Sequence, residues 1–137
     1  MTKSLIICFI FASLIFLVID IIWLSVTVKS IYKPSLGNLL NDKPVIWAAA
    51  LFYVIYVIIL ALLVLRPALI ASSVFQAFWT GALFGIVTYG TYNLTNMATI
   101  TGWSSKVVFV DMFWGGFLTS VSATTGIYLA KKIVHFN

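Results

Sequence analysis

Four apolar runs follow one another along the chain, separated by short polar breaks. They fall at about Leu5 to Val28, Val45 to Leu65, Phe75 to Met97 and Val107 to Ala130, and roughly 20 apolar residues suffice for one helical span. None of them alternates as a barrel strand must, and a segment alone in lipid has to satisfy its own backbone, so the runs are expected to be helices. The expected architecture is all-α: a polytopic membrane protein, a bundle of four transmembrane helices forming a single domain over residues 1–137.

The breaks are clear in the sequence. A polar first loop runs from Tyr32-Lys33-Pro34 to Asp42-Lys43-Pro44, Arg66-Pro67 ends the second span, and Gly102-Trp103-Ser104-Ser105-Lys106 forms the third loop. Pro44 suits a first helical turn, where its missing N–H costs nothing, and Asp42 just before it complements the positive end of that helix. No chemistry is expected from this first loop.

Composition agrees with the spans. Of 137 residues, 63% are hydrophobic and 8% charged, against roughly 45–50% and about 25% in soluble domains, which excludes a soluble fold. The net charge of +5 reflects a shortage of acids: only Asp20, Asp42 and Asp111 oppose eight Lys and Arg residues. The basic residues sit mostly at the ends of apolar runs, where they reach lipid headgroups. The expected partner is therefore the lipid bilayer, and no nucleic acid is expected, because no basic cluster with interleaved aromatics appears in a polar segment. Lys3, Arg66, Lys131 and Lys132 on one side balance Lys29, Lys33, Lys43 and Lys106 on the other. The positive-inside rule is thus silent, and only the amino terminus tips both termini inside.

Cys8 is the lone cysteine, inside the first run, and reads as a packing residue. Lys3 and the run from Leu5 to Ile19 imitate a signal peptide, but no small-x-small cleavage site follows, so a retained first span is expected. His135, beside Lys131 and Lys132, reads as a solvated tail residue. No metal-ligand spacing, Ser-His-Asp order or phosphate loop occurs, so neither a metal nor a cofactor is expected.

Helix geometry places the polar residues at one end of the bundle. The end of span one, the start of span two, the end of span three and the start of span four share one side of the membrane. Asp20 lies eight residues before the end of its span and Tyr53 eight after the start of its own, so both are about 12 Å deep at 1.5 Å per residue. Tyr56, Tyr89, Tyr92, Asn93, Asn96 and Asp111 fall in the same leaflet. A carboxylate in lipid is costly, which marks Asp20 and Asp111 as functional candidates facing the interior, and with no intramembrane cation the pair is expected to share protons. Structural hydrogen bonding between helices is the plainer reading.

Both acids open the same pattern, Asp20-Ile-Ile-Trp23 and Asp111-Met-Phe-Trp114. A spacing of three puts each Trp on the face of its own Asp, able to donate to it or to wall a pocket; an interfacial belt is the alternative, more so for Trp114. Span three ends in a run from Thr88 to Thr99 too polar for lipid. Tyr89, Tyr92 and Asn96 share a face with Gly81 and Gly85, and Gly90 invites a break, although a continuous helix is equally compatible. Asn93-Leu94-Thr95 matches a glycosylation acceptor by chance, given its depth. Small-residue stripes, Gly81 and Gly85 on span three and Gly115, Gly116, Thr119, Ser120, Ala123 and Gly126 on span four, permit close packing within the bundle or between the protomers of a homodimer.

At these residues the chain resembles a bacterial membrane-protein family known as domain-of-unknown-function family 2177. The resemblance covers nearly the whole chain and rests on Asp20-xx-Trp23-Leu24, Tyr32, Leu36-Gly37, Ala49 with Phe52-Tyr53 and Tyr56, Arg66-Pro67-Ala68-Leu69, Gly81 to Gly85, Tyr89-Gly-Thr-Tyr92, Leu94-Thr-Asn96, Ala98-Thr99, Trp103 and Asp111-xx-Trp114-Gly115. Asn93 stands where the family pattern usually has an acid. The resemblance implies a small bacterial inner-membrane protein and no known activity.

The sequence therefore supports an intramembrane site made of Asp20, Trp23, Tyr53, Tyr56, Tyr89, Tyr92, Asn93, Asn96, Asp111 and Trp114, binding or transporting a small-molecule ligand or protons. A bare fold analogy to small multidrug transporters, which are four-span dimers, points the same way. The alternatives are a membrane enzyme acting on a lipid or quinone-like substrate, disfavoured by the lack of a strong nucleophile, and a non-catalytic assembly or sensor subunit.

Overall fold

The computed structural model describes residues 2–134, and every regular element among them is helical. Helix α1 (Thr2–Thr27) runs on through a π-helical turn (Val28–Tyr32) into the short α2 (Lys33–Leu36) and a 3-10 turn (Gly37–Leu39). Helix α3 (Ile46–Leu60) likewise continues through a π-helical turn (Ala61–Leu65) into α4 (Arg66–Ile70), and α5 (Val74–Thr99) and α6 (Ser105–Val134) complete the bundle. Three stretches, Thr2–Leu39, Ile46–Ile70 and Ser105–Val134, are long and apolar enough to cross a membrane. Helix α5 matches α1 in length, at 26 residues each, but its polar second half makes it less apolar. His135 lies outside the described residues.

Two expected helix ends are instead helix interiors, for one reason. A proline removes an N–H and pushes its ring at the carbonyl four residues back, which normally stops a helix. Here the residue before each proline donates five residues back, Lys33 N–H to the Val28 carbonyl and Arg66 N–H to the Ala61 carbonyl. This local widening lets the helix pass Pro34 and Pro67. The first polar loop consequently starts at Gly37 rather than Tyr32. Pro44 and Asp42 also differ from expectation: α3 starts at Ile46 with an extended Val45 before it, so neither residue belongs to the first turn.

The tight end of the bundle is built on small residues. Helices α5 and α6 run antiparallel, since Gly81 faces Ser120, Gly85 faces Gly115 and Gly90 faces Met112. A Cβ at Gly85 would run into the Gly115 carbonyl, so the two backbones touch. On the other side of α6, a Cβ at Gly126 would lie 2.9 Å from the Ala12 Cβ and 3.0 Å from the Cys8 carbonyl, a close approach of α1, which runs antiparallel to α6 since Trp114 reaches Asp20. The glycines of both stripes thus pack inside the chain. Cys8, Ala12, Val64, Leu65, Ala77 and Ile127 fill the core at this end. A three-residue turn joins α4 to α5: Ser72 takes a left-handed backbone (φ 48°), its carbonyl accepts from Lys131 Nζ at 2.5 Å, and Ser73 Oγ caps α5 by accepting from Gln76 N–H.

At the other end α3 stands away from its neighbours. Only Tyr56 and Leu60 of this helix are buried, both in its second half, while Ile46, Trp47 and Leu51 are exposed. Tyr56 acts as the pin. Its hydroxyl bonds Thr119 Oγ1 at 2.7 Å and approaches Thr88 Oγ1 at 3.3 Å, and its ring packs with Phe16, Trp114 and Leu118. Beyond the pin the first half of α3 diverges and leaves a cavity.

Candidate functional site

The cavity has a volume of about 750 Å³ and is bounded by α1, α2, α3, α5, α6 and the loop after α2. Volumes of about 300–1,000 Å³ are those of ordinary small-molecule sites. Its wall is mainly apolar and aromatic, with Phe52 and Ala49 from α3, Leu24 from α1 and Val107 from α6. Asp20 and Asp111 open onto it, although they are only 5% and 8% exposed.

Each carboxyl has its own pair of donors. Asp20 accepts from the Trp114 indole N–H at 2.9 Å and from the Tyr53 hydroxyl at 2.5 Å. Asp111 accepts from the Asn93 side-chain amide at 3.0 Å and from the Tyr32 hydroxyl. The expected pairing of each Trp with the Asp of its own helix is therefore replaced by a crossed one. Trp114 of α6 serves Asp20 of α1, while Trp23 of α1 donates at 3.2 Å to Tyr32, which serves Asp111 of α6. Antiparallel packing brings the two four-residue patterns side by side, and the long indoles cross the seam. They meet in a parallel stack, with ring centroids 4.0 Å apart and 8° between planes. Trp114 is buried, so it is no membrane-surface belt residue.

Hydrogen-bond direction makes the two carboxyls unequal. The Asn93 amide nitrogen can only donate, and its orientation is settled because it faces two acceptors, the Tyr89 carbonyl at 3.1 Å and Asp111. The Tyr32 oxygen receives the Trp23 N–H, which directs the hydroxyl proton to Asp111. Asp111 is thus furnished throughout as an acceptor. At Asp20 the Trp114 N–H is also fixed as a donor, but the Tyr53 hydroxyl has no other partner among the described residues and is free to reverse. No hydrogen bond joins the carboxyls to each other. The route between them through side chains is interrupted at the stacked indoles, which donate but do not accept.

Of the residues expected from the sequence, Asp20, Trp23, Tyr53, Tyr89, Tyr92, Asp111 and Trp114 line the cavity. Asn93 stands behind Asp111, fully buried, with its Oδ1 unpartnered; such a position fits no glycosylation. Tyr56 is the pin below the cavity floor. Asn96 does not line the cavity but its side chain lies against Tyr92, which does, and its carbonyl accepts the Ile100 N–H at the end of α5. Helix α5 is unbroken at Gly90, which instead makes room for Met112, 3.0 Å from where a Cβ would stand. Tyr32, Trp103 and Asp42 join the site although none was assigned to it from the sequence. Tyr32 and Trp103 carried a signal only as members of the family pattern.

The family model described as a predicted membrane protein, DUF2177, matches residues 5–128. The chain belongs to this family. It is an integral membrane protein, with the helical architecture and the candidate spans given above. No curated protein and no solved structure matches the chain.

Proposed function

We propose that this protein binds a small molecule in the cavity between the first half of α3 and the α1, α5 and α6 bundle, within one leaflet of a bacterial inner membrane, and that binding serves transport of a solute or of protons. The observation that carries this reading is the cavity itself, a roomy apolar space onto which two nearly buried carboxyls open. Carboxyls needed only as structural glue would be enclosed by their partners, and the cost of keeping them in a membrane beside an open space supports a binding role. Loose attachment of α3 supports entry and release, because opening the cavity need not disturb the glycine seam.

Native mass spectrometry of the gently extracted protein tests the reading. A small molecule held by the native chain and lost from Asp20→Asn or Asp111→Asn supports it. Identical spectra from all three forms, carrying bulk lipid alone, remove its basis. Flux in proteoliposomes then separates transport from binding, with unchanged flux in both variants excluding a transport role for the carboxyls.

A further inference from the structure

Resting on the ligand-binding reading above, we infer that the occupant is an organic cation, a small and largely apolar amine or ammonium compound whose charge is met by Asp111 and Asp20 and whose body lies against the aromatic wall. The distribution of charge in the whole chain leads to this. All three acidic residues, Asp20, Asp42 and Asp111, line the one cavity, and none of the eight Lys and Arg residues does. A protein of net charge +5 therefore gathers all of its acidic side chains around a single space, with Asp42 exposed on the loop side and the other two acids inside.

Inside, the four side chains bonded to Asp20 and Asp111 are all neutral. They orient the carboxyls and cancel none of their charge. An unpaired charge in an apolar site calls for a counter-charge or a proton. Asn93 and Tyr32 both donate to Asp111, an arrangement that suits its ionised form, so a cation is a partner for which it is equipped. Trp23, Trp114, Tyr53 and Tyr89 supply aromatic surface on the same wall, and aromatic faces attract ammonium groups most strongly where water is excluded. Trp103 adds a further aromatic ring to the lining of the cavity.

The cation could be a free amine or the ammonium headgroup of a membrane lipid, and the test separates them. The full-length protein in a mild non-ionic detergent is titrated with three probes of matched body, 2-phenylethylammonium, 2-phenylethanol and 3-phenylpropanoate. The amine is expected to bind about tenfold or more tightly than the alcohol, with the carboxylate weakest. In Asp111→Asn the preference for amine over alcohol collapses. Asp42→Asn, at an exposed position outside the packed core, reduces the same preference severalfold and keeps the test decisive if the buried variant does not fold. An alcohol or carboxylate bound as well as the amine, or a preference unchanged in both variants, overturns the cation assignment. If no probe binds but native spectra show a phosphatidylethanolamine retained by the native chain and lost with Asp42→Asn, the cation is a lipid headgroup and the assignment stands. Retention of a molecule without an amine or ammonium group overturns it while leaving the ligand-binding reading intact, and no retained molecule together with no probe binding defeats both.

Discussion

The two ends of this bundle are built on opposite principles. Where Gly85 meets Gly115 and Gly126 meets Ala12, side chains have been removed so that helices touch along their backbones. Where α3 diverges, large aromatic side chains hold the helices apart and line a space. In lipid there is no hydrophobic drive to bring helices together, so close packing and hydrogen bonds must do it. Concentrating close packing at one end lets the other stay open without the bundle coming apart, and the carboxyls lie at the open end.

The sharpest way to break the comparison is Gly85→Val. The backbone carbonyl of Gly115 cannot yield as a side chain could, so the loss should reach about 3 kcal/mol or more, seen as collapse of the thermal unfolding midpoint in detergent. A mild effect there would mean the seam is not what holds the bundle. Asp111→Asn should cost less, about 1–3 kcal/mol, because a new amide donor faces donors on both sides. Tyr56→Phe removes the pin alone and should cost about 1 kcal/mol. Its more telling signature is faster hydrogen exchange through residues 46–60, with α5 and α6 unchanged; equal acceleration in all three would dissolve the distinction between the two ends. Asp20→Asn should be the mildest, below about 1 kcal/mol, since the Tyr53 hydroxyl can turn and accept from the new amide. If Asp20→Asn proved costlier than Asp111→Asn by the same unfolding measurement, the assigned inequality of the carboxyls would be wrong.

The helices were legible because lipid imposes a length and forbids polar interruptions, and the depth of Asp20, Tyr53, Asn93 and Asp111 followed from counting residues along them. What could not be read were features that depend on exceptions to local rules or on contacts between helices. Tyr32 was hidden because a proline two residues later signals a helix end, and only the π-helical turn carries the chain on to Asp111. The crossed Trp pairing was hidden because spacing within a helix says nothing about a neighbour's register. Asp42 was read as helping a helix end, since the folding of its loop over the cavity depends on where α2 stops.

The stacked indoles have a consequence for how this protein can be watched. Two chromophores 4.0 Å apart and 8° from parallel share their excited states, so Trp23 and Trp114 should couple, and single substitution of either should change the indole absorption and circular dichroism by more than the loss of one isolated Trp. That optical signal arises at the one point where α1 and α6 exchange partners across the seam. It reports the join between the two carboxyl sites directly, without any label.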